Sequence, residues 1–311
     1  MVVPEAPTQG SAPVQPLPAV PAEPVPEVTV EGKEPRFVAP TRRDRIGRIW
    51  APVMIDGKGP FRLVLDTGAN HSALTTASAL ALGAPNAEAT TVVTGLTGSA
   101  VVPVISVSSM EVGDLLLGPT TLPVVADVFG GAQGVLGREG FASRRIFADF
   151  AHDKLVIARS HDQRAGVGFS VVRLYEIGGG LLIAEARVGG IRCKAVIDTG
   201  SQESIGNPAL RTALIRRPPR RPAHTDVTGV TLEVQTGDYL AAPNIEIGDL
   251  VVRGAHLTFG DMYLFEHWKL MDVPVLLLGM DVLGHLDVLI IDYKMHEMQI
   301  RLAHDRFPTP D

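Results

Sequence analysis

At 311 residues, 45% of them hydrophobic, the chain has material for two domain cores. A net charge of -6 argues against a nucleic-acid binder, for which a basic domain is expected. The single cysteine, Cys193, excludes a disulfide framework, and no uncharged apolar run reaches the roughly 18 residues of a membrane-crossing helix.

Residues 1–44 open the chain as a Pro-rich linker: ten prolines fall within residues 1–40, spread among Ala, Val, Glu and Gln. Such a stretch buries too little apolar surface to offset its ordering entropy. No basic-then-apolar leader stands at Met1. A Pro-rich opening of this kind commonly follows a removed leader or anchor, so export is expected, with room for membrane association through an upstream anchor.

Beyond the linker, short Val-, Ile- and Leu-rich runs alternate with Gly, Pro, Asp and Asn, the pattern of many short strands joined by turns. Ala51-Pro52-Val53-Met54-Ile55 leads through Gly57 to the apolar run Leu63-Val64-Leu65 and then to Asp66-Thr67-Gly68. Ser72 to Leu82 reads as a short turn or helix. Met110-Glu111-Val112-Gly113-Asp114-Leu115 reads as a strand, followed by Val135-Leu136-Gly137 and by Phe147-Ala148-Asp149-Phe150 with Lys154-Leu155-Val156-Ile157.

After a connector at 161–178 the same series returns. Ala184-Glu185-Ala186-Arg187-Val188 leads through Gly189 to Ala195-Val196-Ile197 and Asp198-Thr199-Gly200, and Asn207 to Ile215 reads as the second short helix. Ile245-Glu246-Ile247-Gly248-Asp249-Leu250, Leu277-Leu278-Gly279, and Ile290-Ile291-Asp292-Tyr293 with Glu297-Met298-Gln299-Ile300 complete it. One Asp-Thr-Gly is an ordinary turn signal. Two of them inside an ordered repeat mark a tandem duplication of a unit of roughly 120 residues, within the usual domain range. The lobes are expected at 45–160 and 179–305.

Two carboxyls around one water can hydrolyse an amide without a metal or a covalent intermediate. The ionised one takes the water's proton, and the neutral one donates to the carbonyl oxygen. Like charges this close cannot both ionise, so the pair shares a proton; aspartic proteases are the standard illustration of that effect. Asp66 and Asp198 are the candidate pair. Thr67 and Thr199 are expected to lock the two turns together by their hydroxyls, and Gly68 and Gly200 to permit a tight backbone. Ser201 stands where the first copy has Ala69. A hydroxyl bonded to Asp198 would favour its charge, so Asp198 is expected to be the ionised partner and Asp66 the proton holder.

The apolar run before Asp-Thr-Gly-Ala-Asn, with a later apolar-apolar-Gly, resembles the retropepsin-like aspartic proteases. The two-copy chain is similar to the bacterial, often periplasmic, PerP-like members. The resemblance implies an all-β chain of two tandem retropepsin-like β-barrel lobes folded into an intramolecular pseudo-dimer. It implies an aspartic endopeptidase acting on polypeptides, without cofactor or metal, as a monomer in the periplasm. It places Val135-Leu136-Gly137 and Leu277-Leu278-Gly279 beneath the two active-site loops, and Asn70 and Gln202 against the substrate main chain. It also puts the flaps at Thr94-Gly95-Leu96-Thr97-Gly98 and Thr228-Gly229-Val230, so that Gly95, Leu96, Gly229 and Val230 contact substrate. Arg138 follows the first apolar-Gly element, whereas Met280 takes its place in the second.

Other signals are weaker. Five arginines between Arg211 and Arg221, with Pro218 and Pro219, read as a solvated insertion, with an anionic partner or membrane surface as the lesser reading. His296-Glu297 lacks the second histidine of a zinc peptidase. Two rival readings remain: a non-catalytic peptide-binding module on the same fold, and lobes that pair with those of another molecule.

Overall fold

A computed structural model describes residues 37–40, 48–84, 89–113, 115–178, 180–215 and 223–302, all within one compact unit, Gly32–Asp311. Most of the Pro-rich linker, residue Asp114 and the Arg-rich stretch 216–222 lie outside the described residues.

The first lobe is built from β2 (Trp50–Ile55), β3 (Lys58–Leu65), β4 (Ala73–Thr75), helix α1 (Thr76–Ala81), β5 (Ala89–Thr94), β6 (Ser99–Val107), β7 (Met110–Val112), β8 (Leu115–Leu117), β9 (Thr120–Val125) and β10 (Gly134–Leu136). Ahead of them is β1 (Phe37–Pro40), and after them comes the hairpin β11 (Arg144–Asp149) and β12 (Lys154–Arg159). The second lobe repeats the plan. It runs β13 (Ser170–Ile177), β14 (Leu181–Val188), β15 (Ile191–Ile197), β16 (Ile205–Gly206), α2 (Pro208–Leu214), β17 (Ala223–Thr228), β18 (Val234–Ala241), β19 (Ile245–Ile247), β20 (Leu250–Val252) and β21 (His256–Phe259). It ends with α3 (Tyr263–His267), β22 (Val275–Leu278), α4 (Met280–Leu283), β23 (Val288–Asp292) and β24 (Glu297–Arg301).

Strand order carries the duplication into three dimensions. The first lobe's sheet runs β5-β6-β9-β4-β10-β3-β2-β7-β8, and the second lobe's strands run β17-β18-β21-β16-β22-β15-β14 with β19 and β20 beyond. The β11–β12 and β23–β24 hairpins meet through β11 and β23, antiparallel, with Phe147 opposite Ile290, so that β1-β12-β11-β23-β24-β13 forms a sheet shared by both lobes. The chain is therefore an all-β protein of two tandem lobes.

Burial follows the sequence pattern. Strand β2 alternates, with Ala51, Val53 and Ile55 inward, as a strand covered on one face should. Strands β22 (Val-Leu-Leu-Leu) and β23 (Val-Leu-Ile-Ile-Asp) are buried along their whole length, which explains their unbroken apolar runs. One core cluster runs through both lobes, from Leu63 and Leu136 to Leu276 and Ile291.

The structure departs from the sequence reading at three places. Phe37–Pro40, assigned to the linker, pairs with β12. Ser170–Ile177, assigned to the connector, pairs with both β14 and β24. The helix expected over 72–82 is confined to α1, capped by the Thr75 hydroxyl, because Ala73–Thr75 is claimed by the sheet. Arg211 lies in α2, and its guanidinium pairs with Asp238.

Candidate active site

Each Asp-Thr-Gly follows the end of a buried strand, β3 or β15. Beneath each runs a parallel strand: Leu136 lies opposite Leu65 and Leu278 opposite Ile197. The Asp66 amide donates to the Leu136 carbonyl (3.0 Å) and the Asp198 amide to the Leu278 carbonyl (3.1 Å). The loops are thus pinned where they leave the sheet.

The two loops hold each other. The Thr67 hydroxyl donates to the Ile197 carbonyl (2.7 Å) and accepts from the Thr199 amide (3.1 Å). The Thr199 hydroxyl donates to the Leu65 carbonyl (2.6 Å) and accepts from the Thr67 amide (3.2 Å). Both threonines are buried. Each hydroxyl uses its donor and its acceptor capacity.

The carboxyls are fixed in the same symmetric manner. Asp66 Oδ1 accepts from the amides of Gly68 (2.8 Å) and Ala69 (2.9 Å), and Asp198 Oδ1 from those of Gly200 (2.9 Å) and Ser201 (3.1 Å). A side-chain hydrogen bond joins the two carboxyls. Glycine is required by proximity. A Cβ on Gly68 would sit 2.9 Å from Asp198 Cγ, and one on Gly200 would overlap the Asp66 carboxyl.

Burial pushes both acids above the ordinary carboxylate range. For Asp66 it is opposed by the two amide donors, by the hydrogen bond with Asp198 and by the charge of Arg48. For Asp198 burial is reinforced by the negative charge of Asp66, and its pKa rises well above the usual value. Held this close, the two acids titrate as one pair; the sequence expectation put its proton on Asp66. That expectation rested on a Ser201 hydroxyl bonded to Asp198. Instead Ser201 Oγ donates to the Glu203 carbonyl (2.8 Å).

The remaining sequence candidates divide. Asn70 and Gln202 are both exposed. Asn70 accepts through Oδ1 from the Arg138 guanidinium. Gln202 lines a cavity of about 280 Å³ together with Glu203, Tyr239, His256 and Asp281. Gly95, Leu96, Gly229 and Val230 stand at the tips of the β5–β6 and β17–β18 hairpins, and the tips touch. The Gly229 amide donates to the Thr97 hydroxyl (3.1 Å). A Cβ on Gly95 would come within 2.9 Å of Val230.

Each tip packs on the opposite lobe. Leu96 joins Val196, Ile205 and Leu277, and Val230 joins Val64, Ala73 and Val135. The Leu96 carbonyl also accepts from the Leu264 amide of α3 (3.2 Å).

Three residues of this region were given no role by the sequence reading. Thr97 bridges the tips. Arg48, 6% exposed, donates to the Gly200 carbonyl (3.4 Å). Tyr293, buried against Phe141 at 5.6 Å between ring centroids, has its acidity weakened by burial and lies within the field of both Arg138 and Asp66. Comparing the two copies position by position sets Tyr293 against the apolar Phe150 and would have exposed it, whereas Arg48 is out of step by one residue with its counterpart Leu181.

Comparison with known families agrees with this geometry. A family model described as aspartyl protease matches residues 51–139 and again 184–282, together more than half of the chain. No curated protein matches the sequence.

Proposed function

As the chain belongs to the aspartyl protease family, we propose that it is an endopeptidase whose Asp66 and Asp198 share one proton and activate one water. The observation that carries this reading is the reciprocal Thr67-Thr199 exchange, which sets the two carboxyls face to face within one chain. Water lying between them loses a proton to Asp66 as it attacks the scissile carbonyl, whose oxygen takes the proton of Asp198. The tetrahedral species then collapses: Asp66 passes its proton to the leaving nitrogen, and Asp198 recovers one from the intermediate's hydroxyl. Both acids return to their starting state.

The substrate is a polypeptide lying extended beneath the two hairpin tips, with Asn70 and Gln202 bonding its main chain. Covalent linkage gives each lobe a permanent partner, so the molecule works as a monomeric pseudo-dimer. We place it with the bacterial two-lobe, PerP-like enzymes, in the periplasm or another exported compartment, reached with or without a membrane anchor.

The test is to incubate the purified chain with a peptide library and map the cut bonds. Cleavage by the wild type and none by Asp66→Ala is expected. Intact peptides across the pH range would leave a binding module instead.

A further inference from the structure

The strand registers give exact-position equivalents between the lobes. Trp50 pairs with Val64 and Ile183 with Val196, each partner standing two residues before its aspartate. Two residues ahead of Trp50 is Arg48; two ahead of Ile183 is Leu181. The residue after each apolar-Gly element is Arg138 in one lobe and Met280 in the other. Each of these two positions therefore holds one guanidinium and one apolar side chain, in opposite lobes.

Both guanidiniums act on the same carboxylate. Arg48 grips the carbonyl of Gly200, the residue that packs against the Asp66 carboxyl. Arg138 is buried, binds Asn70 and feels the charge of Asp66. Among the described residues, the other titratable groups that interact with Asp66 are Asp198 and Tyr293, whose ionisation burial opposes. Leu181 and Met280, at the counterpart positions, are buried and uncharged.

Resting on the dyad reading above, we propose that Arg48 is a positioning residue that fixes the polarity of the dyad, holding Asp66 as the permanent base and leaving Asp198 as the permanent acid. Burial magnifies the effect of one cation on two otherwise matched acids.

The test is the pH dependence of kcat/KM in wild type, Arg48→Leu and Arg48→Lys. Leucine reproduces the second lobe's own residue. Activity falls at low pH as Asp66 takes a proton. Without the Arg48 charge that happens at higher pH, so the acid limb in Arg48→Leu moves up by about one pH unit. Lysine restores it. A residue that merely packs would lower the amplitude and leave the limb in place, and that result overturns the inference.

Should Arg48→Leu turn over too slowly for a profile, the Asp66 carboxyl is titrated by carbon-13 NMR in an Asp198→Asn chain, and Asp198 in an Asp66→Asn chain. Adding Arg48→Leu raises the first titration and moves the second less; equal movement, or none, overturns the inference. Because this readout needs no turnover, an inactive wild type would refute the peptidase reading while polarity is still measured.

Discussion

Thr67 and Thr199 each bond across the lobe boundary with both faces of a buried hydroxyl. Replacing either by valine keeps the shape but leaves a carbonyl and an amide of the other loop without partners. Thr67→Val is expected to cost about 1–3 kcal/mol of stability, read from the denaturant midpoint. Asp66→Ala and Asp198→Ala should each lower kcat roughly 10²–10⁴-fold or more with the fold retained, as circular dichroism would check. Ser201→Ala tests the corrected hydroxyl direction: since Ser201 donates to the Glu203 carbonyl, the acid limb of the pH-rate profile stays where it is.

At this scale the meeting of Asp66 with Asp198 was legible because the motif recurs in matching contexts. Arg48 was not. The β2–β3 hairpin carries a register irregularity between Val53 and Ile55, so residues ahead of it are displaced by one from the spacing of the two aspartates, and Arg48 does not line up with Leu181 by simple counting. Nor can composition say which of several acceptors a serine hydroxyl will choose.

Among the elements, the two hairpins are those that the proposed function requires to open. Their strands are largely exposed, and Val92, Val101, Leu232 and Val234 face solvent. What holds them includes the Thr97-Gly229 hydrogen bond, the hydrogen bonds of the first hairpin to Leu264 and Tyr263, and the crossed packing of Leu96 and Val230. Thr97→Val removes one such hydrogen bond, an effect of about 0.5–1.5 kcal/mol, so KM should rise roughly 2–10-fold if closure accompanies binding. An unchanged KM would separate tip contact from substrate capture.

The glycines at the tips were readable from sequence, as was the apolar residue between them. Their exchange between lobes was not, because it depends on where two distant hairpins meet. Strand β13 alternates Val172 and Leu174 inward, a pattern present in the chain but hidden by its place between the repeats. Strand β1 was masked in the same way by the prolines around it.

For the molecule as a whole, two buried acids make stability depend on pH. A carboxyl whose folded pKa is raised binds its proton more firmly in the native state than in the unfolded chain. Its stabilising contribution is complete below the unfolded value near 3.8 and is lost as pH rises through the folded one. Asp198→Asn removes the ionisation, so the variant should be more stable than wild type at neutral pH. That advantage should shrink toward pH 4 with a slope no steeper than about 1.4 kcal/mol per pH unit for one proton. Denaturation curves at several pH values would show it.

Mixing Asp66→Ala with Asp198→Ala chains separates one-chain from two-chain sites. No recovery of activity is expected, whereas recovery would mean that lobes of different molecules pair.

The sheet β1-β12-β11-β23-β24-β13 takes half of its strands from either side of the seam, which ties the two halves into one body while leaving their side chains free to differ. A polypeptide reads differently from its amino end than from its carboxyl end, and a cleft with true two-fold symmetry could not tell one orientation from the other. Here Arg48 answers Leu181, Arg138 answers Met280, and Ala73 answers Ile205 across the seam. All six side chains are buried, so under the proposed function any preference for one heading of a substrate would reach it through the loops they support.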